Sequence, residues 1–210
     1  MKQYRHLESL HAAYVQKRSA IRKRLREYRM VPESKYFYEL IYCLMTPQSS
    51  AVNAAKAQRN FEIADYYHSA VDPESLLYQK GYYIRFHRTK AKRIAEMKVN
   101  FPAIFSVTNS ALSAVEKRAW LVMNVKGLSY KEATHFLRNI GKNEGLTILD
   151  RHILTNLKQH GVIRTIPQTL TTQRYLRIEK KFLRFSKAIG ISVDELDLLF
   201  WSSETGEILK

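Results

Sequence analysis

The chain has 210 residues, and its 35 Lys and Arg against 19 Asp and Glu give a formal net charge of +16. With 45% hydrophobic residues it is a globular chain, and its single cysteine, Cys43, excludes an internal disulfide framework and any cysteine-based zinc or iron–sulfur site. So strong a positive charge favours a polyanionic partner, with nucleic acid as the first candidate.

The composition also predicts the fold class. Only seven glycines and five prolines are present, which indicates a helical chain because sandwiches and barrels use both residues in their turns. We expect the helix that contains Lys90 to end near Asn100 and Pro102. The predicted fold class is all-α. In chain order, periodicity and breakers predict helices over 4–29, 34–45, about 48–64, a short turn of helix opened by Asp72-Pro73, then 89–99, 110–124, 130–140, 151–160, 171–189 and 192–201.

The segment Val125-Lys126-Gly127-Leu128-Ser129-Tyr130-Lys131-Glu132-Ala133 places a glycine turn between two predicted helices. The backbone N–H groups that begin the second helix are unsatisfied and carry partial positive charge, so they can seat a phosphate. Ser129 and Glu132 have the spacing of a capping box. The plainer alternative is that the segment is only a turn, a cap and a helix start.

Lys131 and Asp150 are the candidate catalytic residues. Lys131 lies in the first turn of the second hairpin helix, and Asp150 directly precedes an apolar-periodic helix, where its structural role would be an N-cap. A lysine amine is protonated at neutral pH, so a nucleophilic lysine has to lose its proton first. A neighbouring carboxylate opposes this loss, because it stabilises the protonated amine. We therefore expect Asp150 to stabilise the transition state more than it helps the resting lysine.

With these residues the chain resembles the helix-hairpin-helix DNA glycosylases, relatives of endonuclease III. Within that superfamily it is similar to the compact type-2 8-oxoguanine DNA glycosylases. Two departures are visible: Ser129 stands where the hairpin usually has a second glycine, and the four-cysteine cluster of endonuclease III is absent. The matching segments, besides the hairpin, are Leu149 to Ile153, Leu44 to Ser49, Arg85-Phe86 with Lys90 to Ile94, Trp120-Leu121 with Asn124 to Gly127, and His135 to Gly141.

The resemblance implies two helical lobes with the active site in the cleft between them. The central lobe would span 31–143 and end in the hairpin motif at about 117–140. The second lobe would be built from both termini, 1–30 and 144–210. It also implies a monomer that binds double-stranded DNA containing a damaged base, without an iron–sulfur cluster or a membrane partner. We expect it in the cytoplasm of a prokaryotic cell, associated with the nucleoid.

The implied activity is bifunctional, a DNA N-glycosylase and an abasic-site lyase of base excision repair. Lys131 would attack C1′ of the damaged nucleotide, expel the base and form a Schiff base, and β-elimination would then cleave the strand. Asp150 would assist the lysine and stabilise positive charge on the sugar. No metal and no organic cofactor is needed for this chemistry.

Three further residues are expected to read the flipped base. Lys210 would offer a terminal carboxylate and an ammonium group, whereas its plain alternative is a frayed terminus. Phe86 and Trp201 would stack on the base, and core packing is the alternative for both. The residues expected to contact DNA are Gln48, Gly127, Ser129, Arg85, Arg88, Lys90 and His152.

Two other functions stay open at this point. The same fold could act on an oxidised pyrimidine or an alkylated purine. A non-catalytic helix-hairpin-helix module would bind duplex DNA without releasing a base, and it would give no reason for pairing Lys131 with Asp150.

Overall fold

The computed structural model describes residues 3–206, so Lys210 lies outside the described part of the chain. These residues form an all-α fold, as predicted. The elements are α1 (Leu7–Arg29), a 3-10 turn (Glu33–Lys35), α2 (Tyr36–Met45), α3 (Ala51–Ile63), α4 (Pro73–Leu77), β1 (Tyr78–Gln79), β2 (Tyr82–Tyr83), α5 (His87–Asn109), α6 (Ala114–Asn124), α7 (Tyr130–Asn139), α8 (Arg151–Gln159), α9 (Thr172–Ile189) and α10 (Val193–Thr205).

The chain divides into two compact units, which are described separately below. Unit 1 comprises Met1–Met30 and Asn143–Lys210, and unit 2 comprises Val31–Lys142. None of the helices in the described part combines the length and apolar character that a bilayer crossing requires.

Unit 2 is built around α2, in which every residue is buried. Helices α3, α5 and α7 pack against it. Its one carboxylate, Glu39, accepts hydrogen bonds from Gln58 Nε2 and Asn139 Nδ2, both at 3.1 Å. These amide donors satisfy a charge that would otherwise destabilise the core.

The predicted end of a helix near Pro102 is wrong, because α5 continues through this proline to Asn109. A proline inside a helix costs about 3 kcal/mol. Phe101 and Ile104 on either side of it are buried, and the ring of Phe101 lies 5.0 Å from that of Phe37. Burial of two such side chains contributes about 1.5–3 kcal/mol each, which offsets the cost of the proline.

A small β-hairpin precedes α5, where only a break at Gly81 was expected. Tyr78 pairs with Tyr83 and Gln79 with Tyr82 in antiparallel register. Gly81 has a φ of +98°, which suits the tight turn between the two strands.

In unit 1, α10 packs against α1 and α8. Ser192 and Glu195 form a capping box at the start of α10. The same carboxylate accepts from the Tyr14 hydroxyl at 2.9 Å and from Arg22 Nε at 2.8 Å. Burial opposes ionisation of Glu195, but these hydrogen bonds outweigh it and lower its pKa. This contact fixes α10, and with it Trp201, relative to α1.

Candidate active site

Within unit 2, the hairpin that joins α6 to α7 is the segment in which the sequence predicts a phosphate-binding turn. Ser129 is the N-cap of α7, and Glu132 accepts hydrogen bonds from the Ser129 hydroxyl and, at 3.1 Å, from Ser129 N. The buried guanidinium of Arg118 lies 4.9 Å from the Tyr130 ring and donates to Thr134 Oγ1 at 3.3 Å. These contacts hold α6 and α7 in one rigid hairpin.

Gly127 is required in this hairpin for two reasons. Its φ is +99°, a backbone angle that residues other than glycine rarely adopt. A Cβ atom there would lie 2.8 Å from Arg93 Cδ and 3.2 Å from Leu44 Cδ2. The glycine therefore lets the turn pack directly on α2 and α5.

Lys131 is half-buried in the first turn of α7, with 29% of its side chain exposed. Its Nζ lies 3.4 Å from Oε1 of the buried Glu132. One carboxylate therefore caps the helix through one oxygen and faces the lysine amine through the other. The sequence predicted only the capping role of Glu132. It did not predict the contact between Glu132 and Lys131.

Lys90, expected to contact DNA, has a different position and this expectation is corrected. The residue is only 3% exposed. Its ammonium donates to Met45 O at 2.6 Å, Pro47 O at 2.7 Å and Ser49 Oγ at 3.2 Å. All three of its donors are thus used inside unit 2, and the side chain fixes the turn after α2.

Burial is the main reason that the pKa of Lys90 falls from 10.5 to about 8. The positive charges of Arg93 and Lys131 lower it further, while Glu132 partly offsets them. Lys90 therefore belongs to the same electrostatic cluster as Lys131, although no sequence pattern linked the two.

The turn that Lys90 fixes and the start of α5 each present one expected site residue to solvent. Gln48 and Phe86 are both exposed and both have left-handed backbones, with φ of 57° and 60°. Ser49 joins their two turns, because its hydroxyl accepts from Arg85 N at 3.0 Å as well as from Lys90. A left-handed non-glycine residue costs about 1–2 kcal/mol, so these hydrogen bonds hold a strained arrangement.

The aromatic ring and the two arginines next to it are available at the surface. Phe86 is 52% exposed, so part of its ring is accessible to solvent. The guanidinium of Arg85 lies 5.2 Å from that ring. Arg88 is more exposed still and reaches Glu74 Oε1 at 3.4 Å. Such a solvent-facing contact leaves the charge of Arg88 able to meet a phosphate.

In unit 1, Asp150 is the N-cap of α8, as its position before an apolar helix predicted. Oδ1 accepts from Ile153 N at 2.8 Å, and Oδ2 accepts from Trp201 Nε1 at 2.7 Å. The His152 ring meets the Trp201 ring edge-on, with centroids 5.4 Å apart. The structure thus brings Asp150, His152 and Trp201 together, and the indole has a partner that the stacking hypothesis did not include.

The hairpin, Lys131, Lys90, Gln48 and Phe86 belong to unit 2, whereas the Asp150 group belongs to unit 1. Lys210, the third expected base-reading residue, lies outside the described residues.

Comparison with known proteins gives a consistent result across the chain. A family model described as 8-oxoguanine DNA glycosylase matches residues 21–191. An 8-oxoguanine DNA glycosylase/AP lyase of Fusobacterium nucleatum is 36% identical over 219 residues, covering 100% of both chains. The protein of the same name from Methanocaldococcus jannaschii is 34% identical and covers 90% of this chain and 91% of its own.

Solved structures agree with these relatives. The crystal structure of the 8-oxoguanine DNA glycosylase of Thermotoga maritima has a TM-score of 0.84 at 30% identity, and covers 97% of this chain and 98% of that one. The glycosylase/lyase of Methanocaldococcus jannaschii, crystallised with a 15mer DNA containing 8-oxoguanine, has a TM-score of 0.86 at 31% identity, over 97% and 99% of the two chains.

Proposed function

Because the chain belongs to the family of 8-oxoguanine DNA glycosylases, we propose that it excises 8-oxoguanine from DNA and then cleaves the strand at the abasic site. It is a bifunctional enzyme, a DNA N-glycosylase and an AP lyase. The observation that carries this function is the match, along the whole chain, to a relative named 8-oxoguanine DNA glycosylase/AP lyase. The roles of individual residues rest on the geometry described above.

Lys131 is the proposed nucleophile. After it loses a proton, the amine forms a bond to C1′ while the C1′–N9 bond breaks and its electron pair leaves with the base, which takes up a proton. The nitrogen then loses a second proton, and its lone pair forms the C=N bond of the protonated Schiff base while the C1′–O4′ bond breaks and O4′ takes up a proton. Loss of a proton from C2′ expels the 3′ phosphate and cleaves the strand.

Glu132 is placed to assist this reaction through its Oε1 atom. This oxygen lies 3.4 Å from Lys131 Nζ, close enough to orient the ammonium and to receive its proton after a small shift. The buried cation of Lys90 acts in the opposite electrostatic sense, since a positive neighbour disfavours a protonated amine.

Asp150 is proposed to stabilise positive charge that develops on the sugar. Ile153 N and the indole N–H of Trp201 orient its carboxylate, because each donates to one of the two oxygens. Trp201 would thus act as an orienting residue for Asp150 as well as a ring beside the base.

DNA would be held mainly through its backbone. The turn at Gly127 and the N-terminus of α7 would take one phosphate, with Arg85 and Arg88 contributing charge, whereas Ser129 N already donates to Glu132. Gln48 would reach the space left by the flipped nucleotide, whose extrusion costs a few kcal/mol, and Phe86 would stack on the flipped base. Lys210 remains a proposed reader of the base.

We also expect the enzyme to work as a monomer on double-stranded DNA in a prokaryotic cell. The relatives named above come from prokaryotes, which supports the second expectation. Gel filtration of the free protein and of its complex with a lesion duplex would test the first.

Borohydride trapping on a duplex with one 8-oxoguanine tests the catalytic assignment. The wild-type chain should yield a covalent adduct, Lys131→Gln should yield none, and Lys56→Gln, an exposed lysine on α3, should trap like wild type. Normal trapping by Lys131→Gln would show that another amine attacks.

A lesion panel tests the substrate. An oxidised pyrimidine or an alkylated purine, placed in the same duplex, should be excised far more slowly than 8-oxoguanine. Faster release of either one would change the substrate assignment, and binding without release of any base would leave only a DNA-binding module.

A further inference from the structure

A cavity of about 640 Å³ in unit 1 is surrounded by positive charge. It lies at the C-terminal end of α8, against the loop that follows it and the first half of α9. Asp150 caps the opposite end of this nine-residue helix, about 13 Å away along its axis. Among the described residues that line it there is no carboxylate, and the six cations are Arg5, Lys158, Arg164, Arg174, Arg177 and Lys181.

These charges are not compensated within the described part of the chain. No ion pair between described residues includes any of the six, and of their side chains Arg174 donates one hydrogen bond, to Thr169 O at 3.2 Å. A second cavity of unit 1 differs in this respect. There Arg22, Arg26 and Arg29 line the cavity together with Asp194 and Glu195. Arg22 Nε forms an ion pair with Glu195 Oε1 at 2.8 Å.

Helix α9 extends the charge beyond the cavity. Arg174, Arg177 and Lys181 recur at helical spacing on one face, and Arg184 follows on the same face, so the row is about 15 Å long. The acidic residue of this helix, Glu179, is buried and accepts from Thr147 N and Thr147 Oγ1 at 3.0 and 3.2 Å. It is therefore turned away from the row and does not neutralise it.

The chemistry of the lining selects a kind of ligand. Arginine side chains bind phosphate oxygens in bidentate geometry, and a row of cations of this length matches several phosphates of one strand. The lining contains no aromatic ring on which a nucleobase could stack. A repeated phosphate without base recognition is what the sugar–phosphate backbone of DNA offers.

We propose that this cavity and the adjoining α9 row form a second DNA-backbone site, which binds phosphates outside the lesion. The inference rests on the proposed function, since it assumes that duplex DNA is the substrate. It assigns to unit 1 a share of the nonspecific affinity that the hairpin, Arg85 and Arg88 of unit 2 would otherwise supply.

The test measures how affinity for a long undamaged duplex depends on salt. Each phosphate contact contributes about 0.9 to the slope of log K against log salt, so Arg177→Gln with Lys181→Gln should reduce the slope by about 2. The control pair Arg18→Gln with Lys23→Gln removes the same charge from exposed positions on α1. It should change the slope less. All four side chains are exposed, and equal Tm values would confirm that the variants fold.

An unchanged slope in the cavity variant, or an equal change in both variants, would overturn the proposal. Competition with inorganic tripolyphosphate separates the two sources of phosphate. If the cavity variant loses tripolyphosphate binding but keeps the wild-type DNA slope, the site serves a free anion and the assignment to DNA is wrong. Failure of the wild-type chain to trap on 8-oxoguanine would instead contradict the proposed function, and it would leave the slope comparison on undamaged DNA intact.

Discussion

The indole Nε1 of Trp201 donates a hydrogen bond of 2.7 Å to Oδ2 of Asp150. The two residues are 51 positions apart, and the contact couples the N-terminus of α8 to α10. It orients the proposed catalytic carboxylate from the side that the helix N-cap leaves free.

Trp201→Phe keeps an aromatic ring and removes this donor. A hydrogen bond to a charged group contributes about 1.5–3 kcal/mol, so we expect single-turnover excision of 8-oxoguanine to slow by about 10-fold or more. Trp120→Phe is the matched control, because it replaces the second tryptophan, on α6, and should leave the rate unchanged. An unaffected rate in Trp201→Phe would show that the N-cap alone orients Asp150.

Glu132→Gln retains an oxygen for the capping box and removes the negative charge 3.4 Å from Lys131 Nζ. Without this carboxylate Lys131 loses the group that orients its amine and receives its proton, so single-turnover excision should slow by about 10-fold or more. The control is Glu116→Gln, because Ser113 and Glu116 form the same capping box at the start of α6. Its rate should match wild type, and an unchanged rate in Glu132→Gln would exclude a role for this charge.

Gly127→Ala and Gly81→Ala separate backbone strain from steric overlap. The two glycines have nearly equal φ, +99° and +98°, but a Cβ at Gly81 meets nothing within 4 Å, whereas one at Gly127 meets Arg93 and Leu44. We expect Gly127→Ala to lower the free energy of unfolding by about 1–3 kcal/mol more than Gly81→Ala does. Urea unfolding measures this difference, and equal losses would mean that the hairpin accommodates the methyl group.

Lys90→Met removes the three hydrogen bonds that fix the turn after α2 and leaves no unpaired charge in the core. We therefore expect Gln48 and Phe86 to be displaced. Displacements of about 1 Å near a reacting centre slow reactions by up to about 100-fold, so excision should fall while the helical content is kept. Lys98→Met is the control, since Lys98 also extends from α5 and donates to a loop carbonyl, Ser69 O, at 2.6 Å. Comparable excision by both variants would assign Lys90 to stability alone.

The titration of Lys90 gives a separate prediction. The amine has a pKa of about 8 in the folded chain and an ordinary value of 10.5, so between these values the unfolded chain holds more protons. Stability from this group therefore rises as the pH increases from 8 to 10.5, and its burial costs most below pH 8. The unfolding free energy of wild type minus that of Lys90→Met should rise over this range. A constant difference would contradict the shifted titration.

Features that depend on neighbours in sequence were predictable. The all-α fold follows from helical periodicity and few breakers, and the Ser129–Glu132 box and the Asp150 cap follow from residues within four positions of each other. The position of Gly127 between two helices likewise predicted a tight turn. Each of these needs only local backbone geometry, which the residue types themselves determine.

The tertiary structure decided what packing brings together. Lys90 is buried and donates to the turn after α2 because α2 ends against α5. Pro102 stays within a helix because Phe101 and Ile104 are buried beside it. The bond from Trp201 to Asp150 joins residues far apart in the chain. The sequence by itself determined the helices, the hairpin and the charge; which charges are buried, paired or gathered around a cavity depends on long-range packing, because burial and charge pairing arise between segments that only the folded chain brings into contact.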